Sequence, residues 1–174
     1  GSTELGKYYY NTGNTSYTFT KDGSNGGASD YSMTEVDSVN FQQGGTYAEG
    51  HGVVVESIVV KMIGDGEDKV YGTEPTDTPV APGSYTITMY ASSLTAGWGQ
   101  NATYELNADN RAEVGFTASG GQQRVMLPES FDIDSCESIT VNIKSQTEPF
   151  NFQTYNGSTE LGKYYYNTGN TSYT

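Results

Sequence analysis

The sequence predicts an all-β fold, an antiparallel β-sandwich of the jelly-roll type with a duplicated terminal strand segment. Three observations carry that prediction. Gly, Thr, Ser, Asn and Tyr dominate while Lys and Ala are few, the profile of strands joined by many turns. Two-residue alternation of apolar and polar side chains recurs through the second half, with no amphipathic helical stretch. The segment Gly1 to Thr18, GSTELGKYYYNTGNTSYT, returns without substitution at 157–174.

Taken in order, residues 7–20 hold two short strand candidates, KYYYNT and TSYTFT, and in the second Tyr17 and Phe19 share a face opposite Thr18. Residues 21–32, KDGSNGGASDYS, read as a loop. Val39 and Phe41 mark a short strand. The run from Val53 to Ile63, VVVESIVVKMI, is the strongest apolar stretch; its β-branched content predicts a long strand, buried in places on both faces, with a bulge near Glu56-Ser57. Residues 64–83, rich in Asp, Glu, Pro and Gly, read as a loop. Alternation then sets Tyr85, Ile87 and Met89 inward and Thr86, Thr88 and Tyr90 outward. The GWGQN segment reads as a loop, after which Tyr104 and Leu106 point inward. In the next strand Ala112, Val114 and Phe116 point inward, with Arg111, Glu113 and Thr117 outward. Gln122 to Leu127 follows a Gly-Gly turn, which predicts a hairpin with the strand before it. Ile139, Val141 and Ile143 face inward opposite Thr140, Asn142 and Lys144. Phe150 and Phe152 face inward opposite Asn151, Gln153 and Tyr155. This makes about eight to ten strands.

The perfect repeat has a period of 156 residues, which is the size of one domain. Residues 1–156 are therefore read as a single β-sandwich domain and 157–174 as a second copy of its N-terminal strand segment. The repeat arises either from a tandem array or from deliberate duplication. A domain of this size buries a core without metal or disulfide. The 34% hydrophobic fraction is supplemented by the ring area of fifteen Tyr and six Phe.

The formal charge of −13 argues against nucleic acid, whose phosphates need a basic surface, and equally against anionic membranes and acidic polysaccharides. Neutral partners remain. Cys136 is the single cysteine, so no internal disulfide and no Cys-based metal site can form. No transmembrane run or leader is legible, which predicts a mature or excised segment, secreted or on a cell surface.

Catalytic chemistry has little to work with. His51 is the only histidine, so nucleophilic triads and zinc sites are poorly served. The acidic run Glu129 to Glu137 invites comparison with the paired carboxylates of β-sandwich glycosidases but departs from their spacing. The expectation is a protein that is not an enzyme and requires no cofactor. A structural calcium ion is conceivable at Asp65, Glu67 and Asp68, in an acidic loop that lacks EF-hand spacing.

Neutral sugars are recognised by flat aromatic rings against their apolar faces, with amide and guanidinium groups on the hydroxyls. Trp98, the only Trp, is flanked by glycines in Ala96-Gly97-Trp98-Gly99-Gln100-Asn101, a setting that favours exposure over burial. Tyr90 and Tyr155 fall on the outward phase of their strands, which Arg111, Gln122, Arg124, Asn142 and Gln153 share. Each residue alone fits an ordinary solvated sheet face; the combination suggests a binding set.

The segments GSYTITMYASSLTAGWGQ, NRAEVGF, FDIDSCESITVNIKS and FNFQTYN resemble a carbohydrate-binding module of the β-jelly-roll kind, attached to plant-cell-wall-degrading enzymes of anaerobic gut bacteria. The resemblance covers residues 84–156 and is one of pattern. It implies a bacterial, non-catalytic module binding a neutral plant polysaccharide of the β-glucan, xyloglucan or xylan class. It also implies that Trp98 is the stacking platform, with Gln100 beside it and Tyr90 as the second ring. The alternative reading is a structural repeat of a surface adhesin or fibre. In that case strand exchange through 7–20 or 163–174 joins copies of the chain, because two identical strands compete for one slot.

Overall fold

The apolar phases of the alternating segments meet in one core, where Val39, Phe41, Val125, Phe150 and Phe152 pack against Val55, Ile58, Val60, Met89, Val114 and Val141. Residues 35–75, 85–147, 149–165 and 172–173 are described by the computed structural model. The strands and loop expected within 7–32 lie outside these residues. The described strands are β1 (Glu35–Gln43), β2 (Gly52–Met62), β3 (Lys69–Tyr71), β4 (Thr86–Tyr90), β5 (Thr95–Gln100) and β6 (Ala102–Leu106), followed by β7 (Ala112–Phe116), β8 (Gln122–Asp132), β9 (Cys136–Gln146), β10 (Phe150–Asn156), β11 (Thr159–Tyr165) and β12 (Ser172–Tyr173). Short 3-10 turns at Ala91–Ser93 and Ile133–Ser135 are the only helical elements among the described residues.

The fold is an all-β sandwich. One sheet has the order β11-β10-β1-β8-β5. The other has β12-β9-β2-β4-β3, with β7 also on β2 and β6 on β7. Every pairing is antiparallel except β3 with β4, which is parallel. The buried rings of Phe150 and Phe152 have centroids 5.8 and 5.5 Å from that of Phe41.

β2 is the long strand that its β-branched run predicts, and its middle is buried on both faces. Its register on β9 breaks between Val55 and Ser57, which puts the bulge at Glu56. On its other edge, β2 pairs with β7 through Val55 and with β4 from Ser57 onward. Glu56 thus stands where one neighbouring strand gives way to the next.

Several elements differ from the sequence reading, each for a tertiary reason. The Gly-Gly turn does not close a hairpin, because β7 belongs to one sheet and β8 to the other. The chain changes sheet there through Gly120 (φ 73°), and it changes sheet again between β5 and β6 through Asn101 (φ 50°). Both corners need left-handed backbone, which Gly and Asn supply at least cost. They are stitched together: Thr117 N donates to Asn101 O at 2.8 Å, and a Cβ on Gly121 would lie 2.6 Å from that oxygen. The GWGQ segment belongs to a strand, β5, and not a loop; its two glycines let it lie close to β8. β4 is buried on both faces, so Thr86, Thr88 and Tyr90 are not on a solvated face. The 68–75 segment folds alongside it, forms β3, and fixes the start of β4 through Asp68 Oδ1, which accepts from Thr86 N at 2.8 Å. Leu106 is exposed, since β6 lies at the rim.

Candidate functional site

The outer face of the five-stranded sheet is built by the polar phase of strands whose other phase is core. Asn40 on β1 stands opposite Arg124 on β8 and Gln153 on β10, and Gln153 stands opposite position 163 on β11. The adjacent row runs Gln100, Gln122, Gln42 and Asn151. On the other side, Ser38 is opposite Tyr155, which is opposite Glu160. Residues directly opposite share a face, so these rows make one polar surface.

Trp98 joins it at the edge. Ala96 pairs with Val125 and Gly99 with Gln123, so Gly97 and Trp98 together face the single position Arg124. This is a β-bulge, a device that re-aims side chains at a sheet edge. Trp98 is 52% exposed there. A Cβ on Gly97 would meet Met126 Sδ at 3.1 Å and one on Gly99 would meet Gln123 Oε1 at 2.6 Å, so the strand beside Trp98 leaves no room for larger neighbours.

The interior of the surface is tightly organised. Asn40 Nδ2 donates to Gln122 Oε1 at 3.2 Å and to Gln153 Oε1 at 2.6 Å. Gln153 Nε2 donates to Glu160 Oε2 at 2.6 Å, and the Tyr155 hydroxyl donates to the same oxygen at 3.1 Å. Asn151 Nδ2 donates to Gln42 Oε1 at 3.2 Å. Arg124 reaches across β1: its guanidinium carbon lies 3.8 Å from the Tyr155 ring centroid, and its Nη1 donates to Gly157 O. That span covers Ser38 and Asn40, both of which are fully buried. Burial, the Glu160 charge and the bond to it push the Tyr155 phenol up to about 12. Asn40 Oδ1 and Arg124 Nε are buried with no hydrogen-bond partner among the described residues. A buried acceptor and a buried donor left unmet are each costly and call for a partner.

The nine residues predicted to bind ligand therefore divide. Trp98, Gln100, Gln122, Arg124, Gln153 and Tyr155 lie in neighbouring rows of one face. Of these, Trp98 and Gln100 are exposed and Gln122 and Arg124 half-buried, whereas Gln153 and Tyr155 are buried and hold the others in place. Tyr90, Arg111 and Asn142 belong to the other sheet or its rim and do not join this face. Tyr90 is buried, and that burial raises its phenol. Arg111 is buried with its Nε donating to Glu56 Oε1 at 2.9 Å, a charge filling the gap where β2 changes partners. Asn142 Nδ2 donates to Ser57 Oγ at 3.0 Å within its own sheet. Asn40, Gln42 and Glu160 belong to the surface without having been singled out from the sequence. Asn40 and Gln42 alternate with Val39 and Phe41, which was the available signal.

Elsewhere, a depression of about 270 Å³ is lined by residues including His51, Thr103, Thr117, Ser145 and Thr147. His51 Nδ1 there accepts from Ala48 N at 2.9 Å, so one ring nitrogen is engaged by its own turn. In the acidic loop, Asp68 spends Oδ1 on Thr86, and no group of three or more His, Cys, Asp or Glu suited to a metal ion is gathered among the described residues. The chain matches no family model, no curated protein and no solved structure.

Proposed function

We propose that the outer face of the five-stranded sheet is a non-catalytic binding surface for a neutral polysaccharide, with Trp98 as its stacking platform. The observation that carries this reading is the half-exposed Trp98 at a bulge facing Arg124, whose Nε is buried and unmatched. A sugar ring stacked on the indole places its hydroxyls over Gln100, Gln122 and Arg124, which supply both donors and acceptors. Asn40, Gln153, Tyr155 and Glu160 act beneath them, holding the amides and the guanidinium in fixed orientation and so lowering the ordering cost of binding. The net charge of −13 disfavours acidic polysaccharides, and β-glucan, xyloglucan or xylan is the class that the resemblance of residues 84–156 implies. Secretion by a bacterium and attachment to a wall-degrading enzyme complete this reading.

Affinity electrophoresis against a panel of glucans, xylans and mannans tests it. The expected result is retardation by a β-linked neutral polymer, weakened about tenfold or more by Trp98→Ala, which corresponds to about 1.4 kcal/mol. Retardation by none of the polymers, or equal retardation of wild type and Trp98→Ala, refutes it.

A further inference from the structure

The repeated segment has a defined place in the fold. From its second copy, residues 159–165 form β11 on the edge of β10, with register pairs from Asn156↔Thr159 to Asn151↔Tyr165. Ser172 and Tyr173 form β12 on the edge of β9, opposite Asn142 and Val141. Among the described residues β11 is an edge strand of one sheet and β12 of the other, so a single repeat segment closes one edge of each sheet. Glu160 within it accepts from Gln153 and Tyr155, and Gly157 is held at both its groups, its N donating to Asp37 Oδ2 at 2.9 Å and its O accepting from Arg124.

Residues 3–9 and 16–17 are, letter for letter, the residues of β11 and β12, and Gly1 and Glu4 correspond to Gly157 and Glu160. Strand addition is read mainly by main-chain hydrogen bonds, with side chains setting register. A segment identical in both respects fits the same edges with the same bonds. We propose that residues 1–18 of one molecule seat on the β10 and β9 edges of a second molecule in place of that molecule's residues 157–174, joining copies head to tail by strand exchange. This proposal is independent of the ligand reading. The contacts made in cis and in trans are the same, so the competition is decided by concentration. The tethered copy acts at an effective concentration of about millimolar. The contact is heterologous, joining the front of one chain to the back of the next, and therefore extends beyond dimers when it does not close.

The test uses full-length chain in which only the second copy is disabled, by Gly162→Pro with Lys163→Pro. Gly162 and Lys163 stand opposite Thr154 and Gln153 beyond the register shift at 161, and consecutive strand residues in unbroken register alternate in which edge they bond, so one of the two prolines removes a bond to β10 whatever the phase. Sedimentation velocity is expected to show a weight-average mass that rises at least twofold with concentration. A synthetic peptide of residues 1–18 should return the assemblies to monomer, and adding Gly6→Pro and Lys7→Pro should abolish them. A variant that keeps its β-sheet circular dichroism yet stays monomeric up to its solubility limit overturns the proposal. Should that variant unfold, wild-type chain decides. A fluorescent 1–18 peptide is then expected to reach half occupancy at about millimolar concentration, and no anisotropy change up to peptide saturation overturns the proposal.

Discussion

Replacing Arg111 by Met is expected to destabilise the fold severely while leaving the proposed polysaccharide binding unchanged. Arg111 and Glu56 have side chains only 5% and 8% exposed, and Nε lies 2.9 Å from Oε1. The second acidic neighbour, Asp109, is 3.7 Å from Nη1 and mostly exposed, so it contributes less. Removing one partner of a pair this deeply buried leaves a carboxylate in a poorly solvated place, at a cost of about 3–5 kcal/mol. For a chain of this length that corresponds to a fall in Tm of roughly 6–20 °C. Replacing both residues, as Glu56→Leu with Arg111→Met, removes the stranded charge and is expected to recover most of the loss. Urea denaturation of wild type, both single variants and the double variant closes a thermodynamic cycle. The coupling should be of the same order as the single losses. A cost for Arg111→Met below about 1 kcal/mol, the worth of a solvated surface pair, would refute the reasoning. So would loss of polysaccharide binding in a folded Arg111→Met protein, because the side chain stands away from the polar face.

Three further outcomes follow from the same geometry. The Tyr155 phenol, raised by burial to about 12, stays protonated in the folded protein where an unfolded chain already ionises near 10. Its contribution to stability is complete below about pH 10 and is lost as pH rises toward 12, and Tyr155→Phe should flatten that part of the stability–pH curve; identical slopes would contradict the assignment. Burial, with Asp132 and Asp134 nearby, pushes the Cys136 thiol up to about 11 from 9.0, so alkylation by iodoacetamide at pH 8 should run about 100-fold slower than for a free thiol. A rate within about tenfold of the free thiol would show that Cys136 is accessible as thiolate. Gly52→Ala brings a Cβ to 2.5 Å from Val114 O between β2 and β7, and urea melts should register a loss of about 1–3 kcal/mol; a neutral substitution would mean that the two strands separate freely.

The core was legible wherever one face was buried and the other wet, but the strand count was not: twelve strands are described where eight to ten were expected. Phe150 and Phe152, Ile139 and Val141, and Val114 and Phe116 all sit where two-residue alternation puts them. The same rule misplaced Tyr90 and Arg111. Alternation reports which side of a strand a residue takes, and it assumes that the other side is solvent. β3 pairs beside β4, and Glu56 meets Arg111, through contacts made by residues distant in the chain. The glycines around Trp98 read as loop for a related reason: glycine disfavours strands by its own propensity, but the pairing of β5 on β8 overrides it and uses the small residues to lie close.

By itself the sequence determined that this is an all-β sandwich and that Trp98 is exposed, and it supplied the polar residues alternating with core residues from which the outer sheet face is made. Those are properties of local pattern and need no knowledge of neighbours. Only the tertiary structure decided which polar residues share a face, because strand order is set by long-range pairing: β5, β8, β1 and β10 lie side by side although the chain visits them far apart. The place of the repeat was decided in the same way. Its letters show that 1–18 and 157–174 are identical, but that one copy completes the edges of both sheets follows from hydrogen bonds to β10 and β9, which the segment cannot form alone.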